Sequence, residues 1–216
     1  RFLDNVVSWN EILNPLDKQK TAASETRRLG LGIMGIADML NQLGIAYDSE
    51  TGIDTMSKLM EFISNIAFQS SANLAAEKEP SPIYDEQKYM MCPYIKESLN
   101  AETRALIRKN GIRNIAIMSI APTGSISNII LSYKSEEKNY IGVSGGIEPI
   151  FALYYTRRSE SFGNQFFKVF HSTVQAYLDK MQLTSDANKH DDLAELLPDH
   201  FLRTSHNINP EKRVKI

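Results

Sequence analysis

The stretch that most constrains this chain is residues 114–127, Asn-Ile-Ala-Ile-Met-Ser-Ile-Ala-Pro-Thr-Gly-Ser-Ile-Ser. Residues 115–121 are almost unbroken apolar sequence. That is too apolar for a half-exposed strand and predicts one buried on both faces, as in a parallel α/β sheet. Pro122 cannot donate to a ladder, so the strand must end there. Gly124 permits a tight turn and close approach to a ligand. The hydroxyls of Thr123, Ser125 and Ser127, with the free N–H groups opening a following helix, would then converge on one spot. Such a spot suits an anion, most naturally a phosphate. The other reading is a plain strand-to-helix turn capped by Ser125. The loop has no lysine and lacks the longer Walker spacing, so local pattern leaves both open.

With 216 residues, 42% apolar and 23% charged, the chain has enough apolar sequence for a packed core and is not disordered. A net charge of −2 argues against a nucleic-acid or membrane surface. No apolar run approaches the ~18 residues of a membrane span, and no signal peptide is expected. Both ends read as cut from something longer. The single cysteine, Cys92, excludes an internal disulfide and fits a reducing compartment, so a cytoplasmic protein is expected. Cys92 is expected to be a semi-buried structural thiol rather than a nucleophile, for want of a helix N-terminus or clustered cations.

Periodicity predicts helices over residues 1–13, 36–43, 55–77, 101–109 and 162–181, with another beginning at 193–197. Asn14-Pro15 ends the first. Asp54 or Thr55 is expected to cap the third, and Met56, Leu59, Met60, Ile63, Ile66, Ala67 and Leu74 form its apolar stripe. Pro80 and Pro82 open a loop that runs past Tyr84 and Tyr89. Asn110-Gly111 suits a left-handed C-cap. Residues 131–139 are expected to be a polar surface loop, 150–156 a second strand, and 184–192 a polar linker. The aromatics of 162–181 are expected in the core. Strands alternating with helices imply an α/β protein with a mostly parallel sheet.

Gly30-x-Gly32-x-x-Gly35 matches the dinucleotide fingerprint by pattern alone. A charged stretch precedes it and a turn stands where the acidic strand end should be, so no nicotinamide or flavin site is expected. Instead, the glycines suit a short strand passing close to other backbone. His171, His190, His200 and His206 lack metal-ligand spacing. His171 is expected to be packed or at the surface, and His190-Asp191-Asp192 to be solvated charge. Tyr154 and Tyr155 should alternate, one inward and one outward.

Several blocks together resemble one family. Residues 27–40 (Arg-Arg-Leu-Gly-Leu-Gly-Ile-Met-Gly-Ile-Ala-Asp-Met-Leu), Gly111-Ile-Arg-Asn114, residues 120–127 and residues 144–158 (Ser-Gly-Gly-Ile-Glu-Pro-Ile-Phe-Ala-Leu-Tyr-Tyr-Thr-Arg-Arg) are similar, in order, to the C-terminal half of the ribonucleotide reductase catalytic barrel. The Ala-Pro-Thr-Gly-Ser and Gly-Gly-Ile-Glu-Pro-Ile-Phe-Ala-Leu blocks look more like the adenosylcobalamin-dependent (class II) branch than class I. The resemblance implies half of a ten-stranded α/β barrel with amphipathic helices outside, residues 1–216 being part of one catalytic domain. It implies reduction of a ribonucleotide at the ribose 2′-carbon by thiyl-radical chemistry, with adenosylcobalamin as cofactor. By motif position, substrate-phosphate binding falls on Thr123, Gly124, Ser125, Ile126 and Ser127. The partners implied are a ribonucleotide di- or triphosphate, the rest of the catalytic chain, and a homodimer formed through other regions.

The resemblance also marks two departures. The family's thiyl-forming and reducing cysteines, with their Asn and Glu, have no counterpart here, so no catalytic or metal-binding residue is assigned and residues 1–216 alone should not turn over. The excursion over residues 132–140 is longer than the family's usual connection. A class I large-subunit fragment and a non-catalytic nucleotide-binding domain are the alternatives.

Overall fold

The computed structural model describes residues 1–123, 125–128, 133–135, 138–143, 145–159, 163 and 165–215. The chain divides into two compact units, Arg1–Gly32 with Ser57–Ile120, and Ile33–Met56 with Ala121–Ile216.

The first unit is mostly helical: α1 (Phe2–Leu13), α2 (Asp17–Thr26), most of α4 (Glu50–Lys78), α5 (Glu86–Met91), α6 (Pro93–Ser98) and α7 (Ala101–Asn110). Its core is Phe68, Ala72, Ile95, Leu99, Ile107, Ile112 and Ile117. The long helix starts earlier than its apolar stripe. Ser49 Oγ accepts from Gly52 N at 3.0 Å, which caps the helix ahead of Asp54 and Thr55. Of the expected stripe, Leu74 is buried but Ile66 is 51% exposed, and Phe68, outside that stripe, fills the core. The expected loop past Tyr84 holds α5 and α6. Asp85 caps α5 by accepting from Lys88 N, and Pro93 opens α6.

The apolar run after Asn114 lies parallel to Leu29–Leu31. Leu29 N donates to Ala116 O and Leu31 N to Ile117 O, both at 2.8 Å, and Ser119 N donates to Leu31 O at 2.9 Å. The expectation of burial on both faces is corrected. Ile117 is 3% exposed, but Ala116, Ser119, Ile120 and Ala121 are open, Ile120 at 72%. Among the described residues only this one segment pairs with the run.

A buried polar knot holds the start of this strand. Asp4 Oδ1 accepts from Arg27 Nη2 (2.9 Å), Arg27 Nε (3.1 Å) and Asn114 Nδ2 (3.1 Å). Asn114 also donates to Arg27 O and accepts from Ser71 Oγ, so its amide is fully used.

The second unit contains α3 (Ile36–Gln42), a 3₁₀ turn (Ile126–Asn128), β1 (Tyr133–Ser135), β2 (Lys138–Tyr140), β3 (Tyr154–Ser159), β4 (Gln165–Phe170), α8 (Ser172–Met181), α9 (Thr184–Lys189), a second 3₁₀ turn (Asp199–Leu202) and α10 (Pro210–Arg213). Its core is Phe170, Val174, Leu178, Ala187, Leu193, Leu197 and Phe201.

The mostly parallel sheet is not what the described strands form. β1 pairs with β2 and β3 with β4, both antiparallel, and the one parallel bridge joins Leu31 to Met118. These pairs are joined by short connections, which reach only an antiparallel neighbour. The described strands close no barrel. Residues 165–170, expected to begin a helix, are β4, so their aromatics alternate. Phe170 is buried while Phe166 and Phe167 are 70% and 41% exposed. Only the second half of that stretch, from Ser172, is helical. The polar excursion is a hairpin rather than a loop, the linker over 184–192 holds α9, and residues 193–197 form turns ahead of the second 3₁₀ turn. Tyr154 packs at 5.8 Å on Phe170 while Tyr155 is 58% exposed, the alternation expected of a strand. Among the described residues no helix is long and apolar enough to cross a membrane.

Candidate functional site

Thr123 opens the turn after Pro122 in a conformation L residues seldom adopt, with φ at 51°. It is β-branched, which makes that conformation more costly. Its hydroxyl oxygen is buried with no hydrogen-bond partner. Ser127 N donates to Thr123 O at 3.1 Å and closes one turn of chain. Ser125 and Ile126 form the open rim of that turn, Ile126 at 50% exposure, and Ser127 is buried. Thr123, Ser125, Ile126 and Ser127 are thus one turn, with the rim open and the outer residues tucked in. Gly124 lies outside the described residues.

The backbone of Gly146 lies against this turn. A Cβ at Gly146 would stand 2.5 Å from Thr123 Oγ1 and 3.0 Å from Pro122 O. Real Cβ contacts do not come that close, so residue 146 must be glycine for the two segments to pack. Gly146 and Gly145 also accept from the first amides of α3. Gly35 N donates to Gly145 O (3.0 Å) and Gly146 O (2.9 Å), and Ile36 N to Gly146 O (3.2 Å).

Those bonds bear on the Gly30-x-Gly32-x-x-Gly35 pattern. The Gly35 and Ile36 amides, which open α3 where a dinucleotide pyrophosphate would sit, are already bonded to backbone carbonyls. Gly35 is glycine for its φ of 83° and because a Cβ would meet Val143 Cγ1 at 3.0 Å. Gly30 has ordinary room for a Cβ, 3.5 Å from Ser119, although its flanking residues do pair with the neighbouring strand. Titration with NADH, followed by fluorescence, is expected to show no saturable micromolar binding. Saturable binding abolished by Gly32→Ala would reverse this assignment.

Pro122, Gly145 and Gly146 line one side of a cavity of about 520 Å³ within the second unit. That volume is in the range of small-ligand pockets, roughly 300–1,000 Å³. Its other walls include Glu148, His206 and Arg213, and Arg213 is the only Arg or Lys among the described lining residues. Tyr47, 7% exposed, donates its hydroxyl to Ile147 O and pins the segment carrying Glu148. Burial, with Glu148 adding to it, pushes the Tyr47 phenol up to about 12, so it remains a donor at neutral pH. Asp48 accepts from Lys212 Nζ at 3.0 Å, which ties α10, and with it Arg213, to the turn beside Tyr47. Arg213 in turn donates to Ser205 O.

His171 stands at the N-cap position of α8 and faces the same cavity, its Nδ1 2.8 Å from Thr173 Oγ1 and its Nε2 3.8 Å from Asp38 Oδ1. It is packed, as expected. Burial lowers its pKa and the Asp38 charge opposes that shift. His190 and Asp191 are exposed, Asp191 pairing with Lys168 at 3.0 Å. Among the described residues no group of His, Cys, Asp and Glu could hold a metal ion. Cys92 corrects an expectation: it is exposed, and it stands at the N-cap of six-residue α6. A side chain at the junction of two short surface helices has no core to enter.

The family model of the ribonucleotide reductase barrel domain matches residues 1–215. This chain belongs to the ribonucleotide reductase barrel-domain family. The membership carries an α/β fold. A vitamin B12-dependent ribonucleoside-diphosphate reductase of Mycobacterium tuberculosis is 34% identical over 73% of this chain and 18% of its own length. A ribonucleoside-diphosphate reductase subunit alpha of Chlamydia trachomatis is 30% identical over 98% of this chain and 22% of its own. The chain therefore spans about a fifth of the length of these curated relatives. The Actinobacillus ureae class Id ribonucleotide reductase alpha subunit shares the fold, with a TM-score of 0.59 over 94% of this chain, 32% of that one, at 19% identity.

Sequence reasoning singled out the turn at residues 123–127 but assigned nothing to Gly146, Arg213 or the His171–Asp38 pair. Gly145-Gly146 was visible as part of a motif. Its contact with Thr123 was not, because 22 residues separate them.

Proposed function

We propose that the turn at residues 123–127 holds the phosphates of a ribonucleotide in a protein that reduces ribonucleotides to deoxyribonucleotides. The observation that carries this is Thr123, with strained backbone and an orphaned buried hydroxyl at the same residue. Such features persist where function requires them. Ser125 and Ile126, the exposed rim of the turn, are the residues that would meet a phosphate first. Thr123, Gly124 and Ser127 complete the set by motif position. Arg213 in the neighbouring cavity supplies the positive charge that the turn itself lacks. Relatives named as ribonucleoside-diphosphate reductases favour a diphosphate.

These residues bind and orient. The turn fixes the phosphate end of the substrate, which converts a bimolecular encounter into a positioned one. The reacting thiols belong to other parts of the full-length protein, since one exposed cysteine cannot supply both a thiyl radical and two electrons. Relatives named vitamin B12-dependent support adenosylcobalamin as the radical source. None of the described residues is assigned to hold that group; what they do is bind and orient the substrate. The alternative, a radical supplied by a partner subunit, is favoured by the Chlamydia relative that is named subunit alpha and aligns with 98% of this chain.

In the full-length protein, Gly124→Val is expected to raise the Kd for a ribonucleoside diphosphate at least tenfold, with the fold retained. Losing one charge-assisted backbone hydrogen bond costs about 1.5–3 kcal/mol. Unchanged nucleotide binding would remove the assignment.

A further inference from the structure

We propose that Arg213 and Glu148 count the phosphates of the substrate: Arg213 receives the second phosphate in the cavity beside the turn, and Glu148 repels a third. This rests on the phosphate reading of the turn and adds what sets the length of phosphate chain that the site accepts.

The first support is position. Pro122 and Gly146 line the cavity, and both adjoin Thr123. Pro122 precedes it in the chain, and a Cβ at Gly146 would stand 2.5 Å from its hydroxyl oxygen. The cavity therefore begins beside the turn. The turn is short, carries no cation of its own and is open at Ser125 and Ile126, which suits one phosphate. A second phosphate is covalently tied to the first and must lie close by. The cavity of about 520 Å³ has room for it.

The second support is charge. Arg213 is the only Arg or Lys among the described lining residues. It donates to Ser205 O, and its planar fork of five N–H donors leaves others for a phosphate. The other charged groups nearby are already matched. Asp48 holds Lys212 at 3.0 Å and Arg203 at 3.6 Å, and Asp38 on the cavity wall faces His171 at 3.8 Å. Among the described residues neither Arg213 nor Glu148 belongs to an ion pair. The cavity thus presents one uncommitted cation and one uncommitted carboxylate. Both act on Tyr47: burial is the main cause of its raised pKa, Glu148 adds to it and Arg213 opposes it.

The third support is fixing. Arg213 ends α10, whose start is capped by Asn209 Oδ1 accepting from Glu211 N at 2.9 Å and whose Lys212 is tied to Asp48. The segment carrying Glu148 is pinned at Ile147 O by the Tyr47 hydroxyl. A ligand is selected most sharply where a fixed attraction and a fixed repulsion act together. A single phosphate on the turn leaves Arg213 unused. A second meets it with charge-assisted hydrogen bonds. A third brings further negative charge towards Glu148, in a cavity whose only Arg or Lys is already taken.

The test uses the full-length protein with a radiolabelled ribonucleoside diphosphate, displaced by the unlabelled mono-, di- and triphosphate of the same base. The parental protein is expected to prefer the diphosphate over both others. Arg213→Gln should cut the diphosphate-over-monophosphate preference on the order of tenfold, and Arg213→Lys should keep part of it. Glu148→Gln should improve triphosphate binding on the order of tenfold and leave the monophosphate within twofold. A parental protein without preference for the diphosphate would overturn the proposal. So would equal weakening of mono- and diphosphate by Arg213→Gln, because that marks a structural role. If Gly124→Val weakens the diphosphate while Arg213→Gln and Glu148→Gln leave every ratio at the parental value, the counting falls and the phosphate turn stands. If Gly124→Val leaves diphosphate binding unchanged, the phosphate reading falls and the counting falls with it.

Discussion

Gly146→Ala is expected to weaken binding of a ribonucleoside diphosphate to the full-length protein by tenfold or more while leaving it folded. The added methyl carbon would stand 2.5 Å from Thr123 Oγ1 and 3.0 Å from Pro122 O. The threonine hydroxyl cannot easily rotate away, because it is buried and its backbone is already held at a φ of 51°. The proline carbonyl is backbone and cannot move alone. The turn must therefore shift, and its donors leave the positions a phosphate needs. Loss of one or two charge-assisted hydrogen bonds accounts for about 1.5–3 kcal/mol each. A calorimetric titration with an unfolding scan on the same sample separates this from general damage. A folded variant with parental affinity would show that the Gly146 contact does not shape the binding turn.

Asp4→Ala is expected to give the largest loss of stability, about 3–5 kcal/mol, because it strands buried cations. Asp4 is fully buried, and the Arg27 side chain that it holds is 4% exposed. Arg113 at 3.5 Å and Lys78 at 3.6 Å lean on the same carboxylate. Removing it leaves three positive groups facing one another without a counter-charge. For a unit of this size the loss corresponds to a fall in Tm of about 15–25 °C.

The pH dependence has a definite sign. Burial works to raise the Asp4 pKa, but hydrogen bonds from Arg27 and Asn114 and the charges of Arg27 and Arg113 outweigh it, so the carboxyl titrates below its ordinary value. A group depressed in the folded state stabilises fully above its unfolded pKa, near 3.9 for Asp. That contribution disappears as pH falls through the lower, folded value. Stability at neutral pH should therefore include the whole effect, and Asp4→Asn should flatten the acid limb of the Tm profile. An unaltered acid limb in that variant would show that Asp4 does not carry the linkage.

How much of this was legible in the sequence follows from the range of the interactions involved. Helix α1 and its stop at Asn14, and the end of α7 at Gly111, are local events within a few residues, and sequence places them. Length-wise errors came where a local signal competed with a less obvious one: Ser49 caps α4 before Asp54 can, and β4 with α8 reads as one helix because its aromatics also fit a 3.6-residue period. Pairing direction was misjudged because apolar alternation says nothing about which neighbour a strand will meet.

The sequence by itself determined the family, the proline stop, the Thr-Gly-Ser turn and the weakness of the dinucleotide pattern. Each depends on residue type and near spacing. Tertiary structure alone decided that Gly35 is bonded to Gly145 and Gly146, that Gly146 backs Thr123, and that Asp4 gathers cations from residues 27, 78 and 113. Those contacts join residues separated by between 23 and 111 positions. They depend on how buried backbone and charge find partners in space, which is why no local pattern along the chain announces them.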